Sequence, residues 1–239
     1  VRAILQRGLK MSTIVTLSRG AQSATPFGYN AGDASADRGS AFFTDFYTIE
    51  PFTKINCPLI DGACGLAKQT TNGSSQSTLK TSKIFTQREG DSVSFAARLK
   101  VTNAGANDSL NVGFTDDHTK TLQIADFNFG ININNFLSDK ITISFDDGKT
   151  DKFLNITTSA LPSEFDVTEF NVYGAELIRL NGTNTCHYFI NGHKIHTVVS
   201  TPDAGATMDA MSMALYSPAG DVQSQFATFD WASISMPRT

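Results

Sequence analysis

The sequence has a single tryptophan, three cysteines and little charge: Asp, Glu, Lys and Arg make up 18% of its 239 residues. An odd set of cysteines (Cys57, Cys64 and Cys186) cannot be fully paired within one chain. There is no Cys-x-x-Cys, which excludes a zinc ribbon. Free thiols are expected, with a Cys57–Cys64 bridge as the alternative in an oxidising compartment. No Lys/Arg cluster interleaves with aromatics, so nucleic acid is not an expected partner. No run is apolar and long enough to span a membrane, and a membrane is not expected either. The opening "VRAILQRGLK" offers only Ala3-Ile4-Leu5, too short for the core of a secretion signal. The ten residues before Met11 read as an upstream extension or a processed end. Without a secretory route, the sequons at Asn72, Asn107, Asn155 and Asn181 read as chance in an Asn-, Ser- and Thr-rich chain.

What is present points to a packed β-protein. Hydrophobic residues reach 40% and there are 18 Phe, enough for a sizeable core. Charge is unevenly spread. Residues 1–40 carry five basic and two acidic side chains, net +3, and the rest carries 14 and 21, net −7. Residues 1–40 are small, polar and Gly-rich without sustained period, and read as an extended arm. A basic arm on an acidic body can dock on a neighbouring copy, so a homo-oligomer is expected. From Ala41 to Thr239 the texture is β. "SVSFAARLKV" (92–101) alternates, with Val93, Phe95, Ala97, Leu99 and Val101 on one face. "LNVGFTD", "KITISF", "FNVYGAELIRL", "MSMALYS" and "ATFDWASISM" are further strands, and "DGACGLAKQTTNGSSQST" (61–78) reads as a loop. No helical period extends beyond about ten residues. The fold class expected is an all-β sandwich over 41–239, preceded by the arm 1–40.

"CHYFINGHKIH" (186–196) holds three of the four histidines. Asn191-Gly192 between two β-rich runs is a two-residue hairpin turn. A two-residue loop fixes the register, with Ile190 opposite His193, Phe189 opposite Lys194, Tyr188 opposite Ile195 and His187 opposite His196. His187 and His196 are thus the candidate ligand-contacting pair. Zinc would need a further protein ligand, and none is near in sequence. His118, in "TDDHTK", reads as a turn residue.

The order of these elements resembles concanavalin A-like sandwiches, which include laminin-G-like domains and β-glucanase jelly rolls. The likeness is carried by "EFNVYGAELIRLNGTNTCHYFINGHKIHTV" (169–198), "SVSFAARLKV…LNVGFTDD" (92–117) and "ATFDWASISMPR" (227–238). The texture is most similar to laminin-G-like domains of bacteriophage virion proteins. Glucanases of this fold use E-x-D-x-E or E-x-D-x-x-E on one strand. "EFDVTE" matches at Glu164, Asp166 and Glu169, but lies too close to the Asn191-Gly192 turn, where a surface loop is expected. No catalytic residue is therefore assigned, and a non-enzymatic protein is expected. The resemblance implies a virion structural protein at the virion surface, partnered by other virion proteins. The alternative is a carbohydrate-binding module for host or mucus glycans, and a glycosidase is the third reading. No cofactor or metal is expected, although "NAGANDS" (103–109) and "DDGKTD" (146–151) offer oxygen ligands of the kind calcium takes.

Overall fold

The structure is a computed structural model. It describes residues 39–44, 52–55, 67–70, 77–81, 85–102, 110–117, 119, 127–133, 141–203, 208–217 and 226–237. Among them are fifteen strands, numbered in chain order, and a 3-10 turn at Thr158–Ala160. One sheet runs β1 (Gly39–Thr44), β15 (Phe226–Pro237), β6 (Ser92–Thr102), β11 (Asn171–Leu180), β12 (Thr183–Ile190) and β13 (His193–Ser200), with β3 (Ala67–Thr70) also on β15. The second runs β10 (Asp151–Ile156), β9 (Ile141–Asp147), β8 (Phe127–Ile133), β7 (Leu110–Thr115), β14 (Met208–Ser217), β4 (Ser77–Thr81) and β2 (Phe52–Ile55), with β5 (Phe85–Gln87) also on β14. Every pairing is antiparallel. The chain is an all-β sandwich of two sheets.

Alternation builds the core. Val93, Phe95, Ala97, Leu99 and Val101 are all buried, as the sequence predicts, and face Phe114, Phe129, Ile131, Ile143 and Phe145 of the second sheet. Phe114 stacks on Phe129 at 5.0 Å between centroids, and Phe85 meets Phe114 edge-on at 5.1 Å. Each such ring stabilises the fold by about 1.5–3 kcal/mol through burial. Tyr188 on β12 donates its hydroxyl to the Ser144 carbonyl of β9 (2.6 Å), which ties the sheets together across the core. Asn184 on β12 likewise donates to Asp147 on β9 (2.9 Å) at one end of the sandwich. Cys186 is a free, buried thiol, its pKa pushed up by burial. Cys57 and Cys64 lie outside the described residues.

Some expectations need correction. The stretch 61–78 contains β3 and the start of β4. Gly39 and Ser40, assigned to the arm, already pair with Pro237 and Met236. The rest of the arm lies outside the described residues. The NAGANDS loop does too. In the DDGKTD turn, Asp146 accepts from the Gly148 N–H (2.7 Å), and Asp147 accepts from the Lys149 and Thr150 N–H groups (3.3 and 2.9 Å). These oxygens serve the turn between β9 and β10.

Candidate functional site: the outer face of the seven-stranded sheet

The Asn191-Gly192 turn forms as expected, with φ of 50° and 82°. The register does not hold. A bulge after Tyr188 sets Tyr188 opposite His196 and His187 opposite Thr197. Ile195 is the extra residue, and it is buried. Thr197 shares the outer face with His187, so alternation places His196 on the inner side with Val198. The expected His187–His196 pair is therefore split between the two faces. His118 lies outside the described residues.

His187 instead belongs to a row that crosses five strands. Successive registers align Ser235 (β15), Ser94 (β6), Glu176 (β11), His187 (β12) and Thr197 (β13). Neighbouring residues in such a row have Cβ atoms about 4.5–5.5 Å apart. His187 Nδ1 lies 2.9 Å from Thr197 Oγ1, and Ser92 Oγ donates to Glu176 Oε1 (3.3 Å). The adjacent row aligns Ser233, Ala96, Gly174, Phe189 and Lys194. It sets two residues with little or no side chain beside an aromatic ring, and His187 meets that ring edge-on at 6.4 Å. Glu176, His187 and Thr197 are half-buried, and Val199 beyond them is 61% exposed.

Burial raises the Glu176 pKa above 4.5, against the Ser92 hydrogen bond. Burial, with the Lys194 charge, lowers the His187 pKa below 6.5. Both groups are pushed toward their neutral forms. Glu176 thus favours folding at low pH, and this contribution is lost as pH rises through its folded pKa. His187 behaves oppositely: its contribution is present above 6.5 and lost as pH falls through its folded pKa. Glu176→Gln should therefore gain melting temperature over the native chain as pH rises from about 4 to about 8, with convergence at the acid end. Thermal melts across that range check this, and a constant difference would refute it.

The acidic motif is elsewhere. Glu164, Asp166 and Glu169 sit in the exposed loop before β11. Asp166 accepts from the Thr168 N–H (2.9 Å) and hydroxyl (2.8 Å). Glu164 is fully exposed, its pKa lowered by a backbone hydrogen bond and by Ser163. Asn171 donates to the Asp166 and Glu169 carbonyls (2.7 and 3.0 Å) and accepts from Asn191 (2.8 Å). Asn191 in turn accepts from the Val172 N–H (2.9 Å). The turn asparagine therefore also clamps the loop. Asn191→Ala should cost about 2 kcal/mol, from two lost hydrogen bonds and a strained φ. Denaturant unfolding measures this, and a loss under half that size would show that the clamp is not needed.

The i, i+2, i+4 spacing of the glucanase motif does occur on β8, with Asn128, Gly130 and Asn132 on the outer side of the second sheet. Asn132 donates to Asn111 (3.0 Å), and Ser144 donates to Asn128 (2.7 Å). Sequence reading missed this amide row, although "NFGIN" alternates visibly.

No family model matches the sequence, and no curated protein matches it. Solved structures do. The endo-1,3-β-glucanase of Streptomyces sioyaensis matches with a TM-score of 0.61 at 11% identity, over 85% of this chain and 98% of its own. The carbohydrate recognition domain of Emp47p matches at 0.56 and 11%, over 84% and 97%. That of Emp46p in its potassium-bound form matches at 0.53 and 8%, over 80% and 91%. This chain shares the antiparallel jelly-roll sandwich fold of these proteins. The expectation of a non-enzymatic protein is overturned: it rested on the misplaced motif, and the fold is shared with an endo-glucanase. For cations, the described residues bring together no group of three or more His, Cys, Asp or Glu able to hold a metal ion. Nor is any helix among them long and apolar enough to cross a membrane.

Proposed function

We propose that this protein binds carbohydrate through the outer face of the seven-stranded sheet, with Glu176, His187 and Thr197 as its polar contacts. The observation that carries the reading is the row Ser94–Glu176–His187–Thr197 beside Phe189. Sugar hydroxyls both donate and accept, and this row offers carboxyl, imidazole and hydroxyl groups for both. Phe189, buried beside the row, backs the His187 ring edge-on. The fold is shared with carbohydrate recognition domains, which adds support. The virion structural role is supported only by the sequence resemblance and the uneven charge of arm and body, so carbohydrate binding is the reading we adopt. Cleavage of the bound glycan is a second reading. It is favoured by Glu176, since a carboxyl held toward its protonated form suits proton donation to a leaving group.

A glycan array with the full chain tests the proposal. Specific hits that weaken in His187→Ala are expected, and an array without signal above background would refute it. Reducing-end release from the same glycans, lost in Glu176→Gln, would establish cleavage.

A further inference from the structure

We propose that β10 is a self-association edge, through which two copies of this chain pair antiparallel about a two-fold axis at Phe153. Among the described residues β10 pairs with β9 alone. Its residues Asp151 to Asn155 are all exposed, including Phe153 and Leu154 at 36% and 37%. An open strand edge with apolar side chains is a template for another strand. One edge of the other sheet, β13, is blunted by its bulge and by Lys194. β10 keeps an unshifted register along its whole length.

The hydrogen-bond phase selects the partner and the register. The Asp147 N–H donates to the Thr150 carbonyl (3.4 Å). Antiparallel pairs alternate, so the next pair, Asp146 with Asp151, is non-hydrogen-bonded, and so are Ser144 with Phe153 and Thr142 with Asn155. The N–H and C=O groups of Asp151, Phe153 and Asn155 therefore point away from β9. A second copy running antiparallel, with Phe153 opposite Phe153, places Asp151 opposite Asn155 and Lys152 opposite Leu154. Every outward N–H and C=O of those three residues then finds a partner. No like charges oppose each other, and the two Phe153 rings meet on one face. A second copy thus satisfies the edge with its own identical sequence. This contact needs no part of the arm and does not rest on the carbohydrate reading.

Sedimentation of the full chain over a concentration series tests it. The native chain should shift from the mass of one chain to that of two. Phe153→Lys sets like charges directly opposite and should weaken the dimer at least about tenfold. Phe153→Pro removes one outward N–H and leaves the β9 ladder intact, so it should also fold and be monomeric. Mixing Phe153→Lys with Phe153→Glu should restore a dimer. A native chain that stays single at every concentration would overturn the proposal. So would folded Lys and Pro variants that dimerise like the native chain, or a Lys/Glu mixture that stays monomeric.

Discussion

Gly113→Ala is expected to destabilise the fold by about 3 kcal/mol, the upper end of the usual cost of overpacking. Gly113 on β7 lies opposite Gly130 on β8. A Cβ at Gly113 would fall 2.4 Å from the Phe129 carbonyl oxygen and 2.5 Å from the Gly130 Cα. Both are backbone atoms of a central strand, so neither can rotate aside. Relief requires moving β8, and Phe129 on β8 is stacked on Phe114 in the core. The melting temperature should fall by roughly 6–12 °C for a chain of this size. Gly182→Ala is the contrast: it has nothing within 4 Å, and only its φ of 71° opposes a side chain. That strain costs about 1–2 kcal/mol. A Gly113→Ala loss no larger than that of Gly182→Ala would show that the two strands separate freely there.

Glu176→Gln is expected to weaken glycan binding about 10- to 100-fold while the fold is kept. Gln retains the shape but replaces one carboxyl oxygen by an NH2 group, and a polar partner left unsatisfied costs about 1–3 kcal/mol. His187→Ala should cost about tenfold, the worth of one neutral hydrogen bond plus some ring contact. His196→Ala is the matched control. It removes the same side chain from the opposite face, opposite Tyr188 rather than on the row. Its affinity should stay within about threefold of the native value, since it removes no contact to the sugar. Titration calorimetry with an array-selected glycan measures all three. Equal losses in His187→Ala and His196→Ala would disconnect binding from this face.

The sheet interior was legible because period-2 alternation is strong where one face is buried, as in β6. The hairpin was legible because Asn191-Gly192 is a local signal. The bulge was not: nothing about Ile195 marks it as the extra residue, and a one-residue slip moved His196 to the other face. β10 escaped notice because "DKFLNI" mixes charged and apolar residues without alternation, as suits an exposed edge. The row Ser94–Glu176–His187 was hidden for a different reason. It exists only because β11 lies between β6 and β12, and that adjacency is a property of topology rather than of local sequence. The decoy "EFDVTE" shows the converse, since motif spacing without a strand beneath it carries no geometry.

The most direct test of the proposed carbohydrate site is to follow the histidine ring protons by NMR while adding an array-selected glycan. His187 and His196 then report on opposite faces of one sheet in one experiment. The account predicts saturable shifts of the His187 ring with the His196 ring unmoved. Shifts confined to His196, or to the amide side chains of Asn111 and Asn132 on the other sheet, would contradict it.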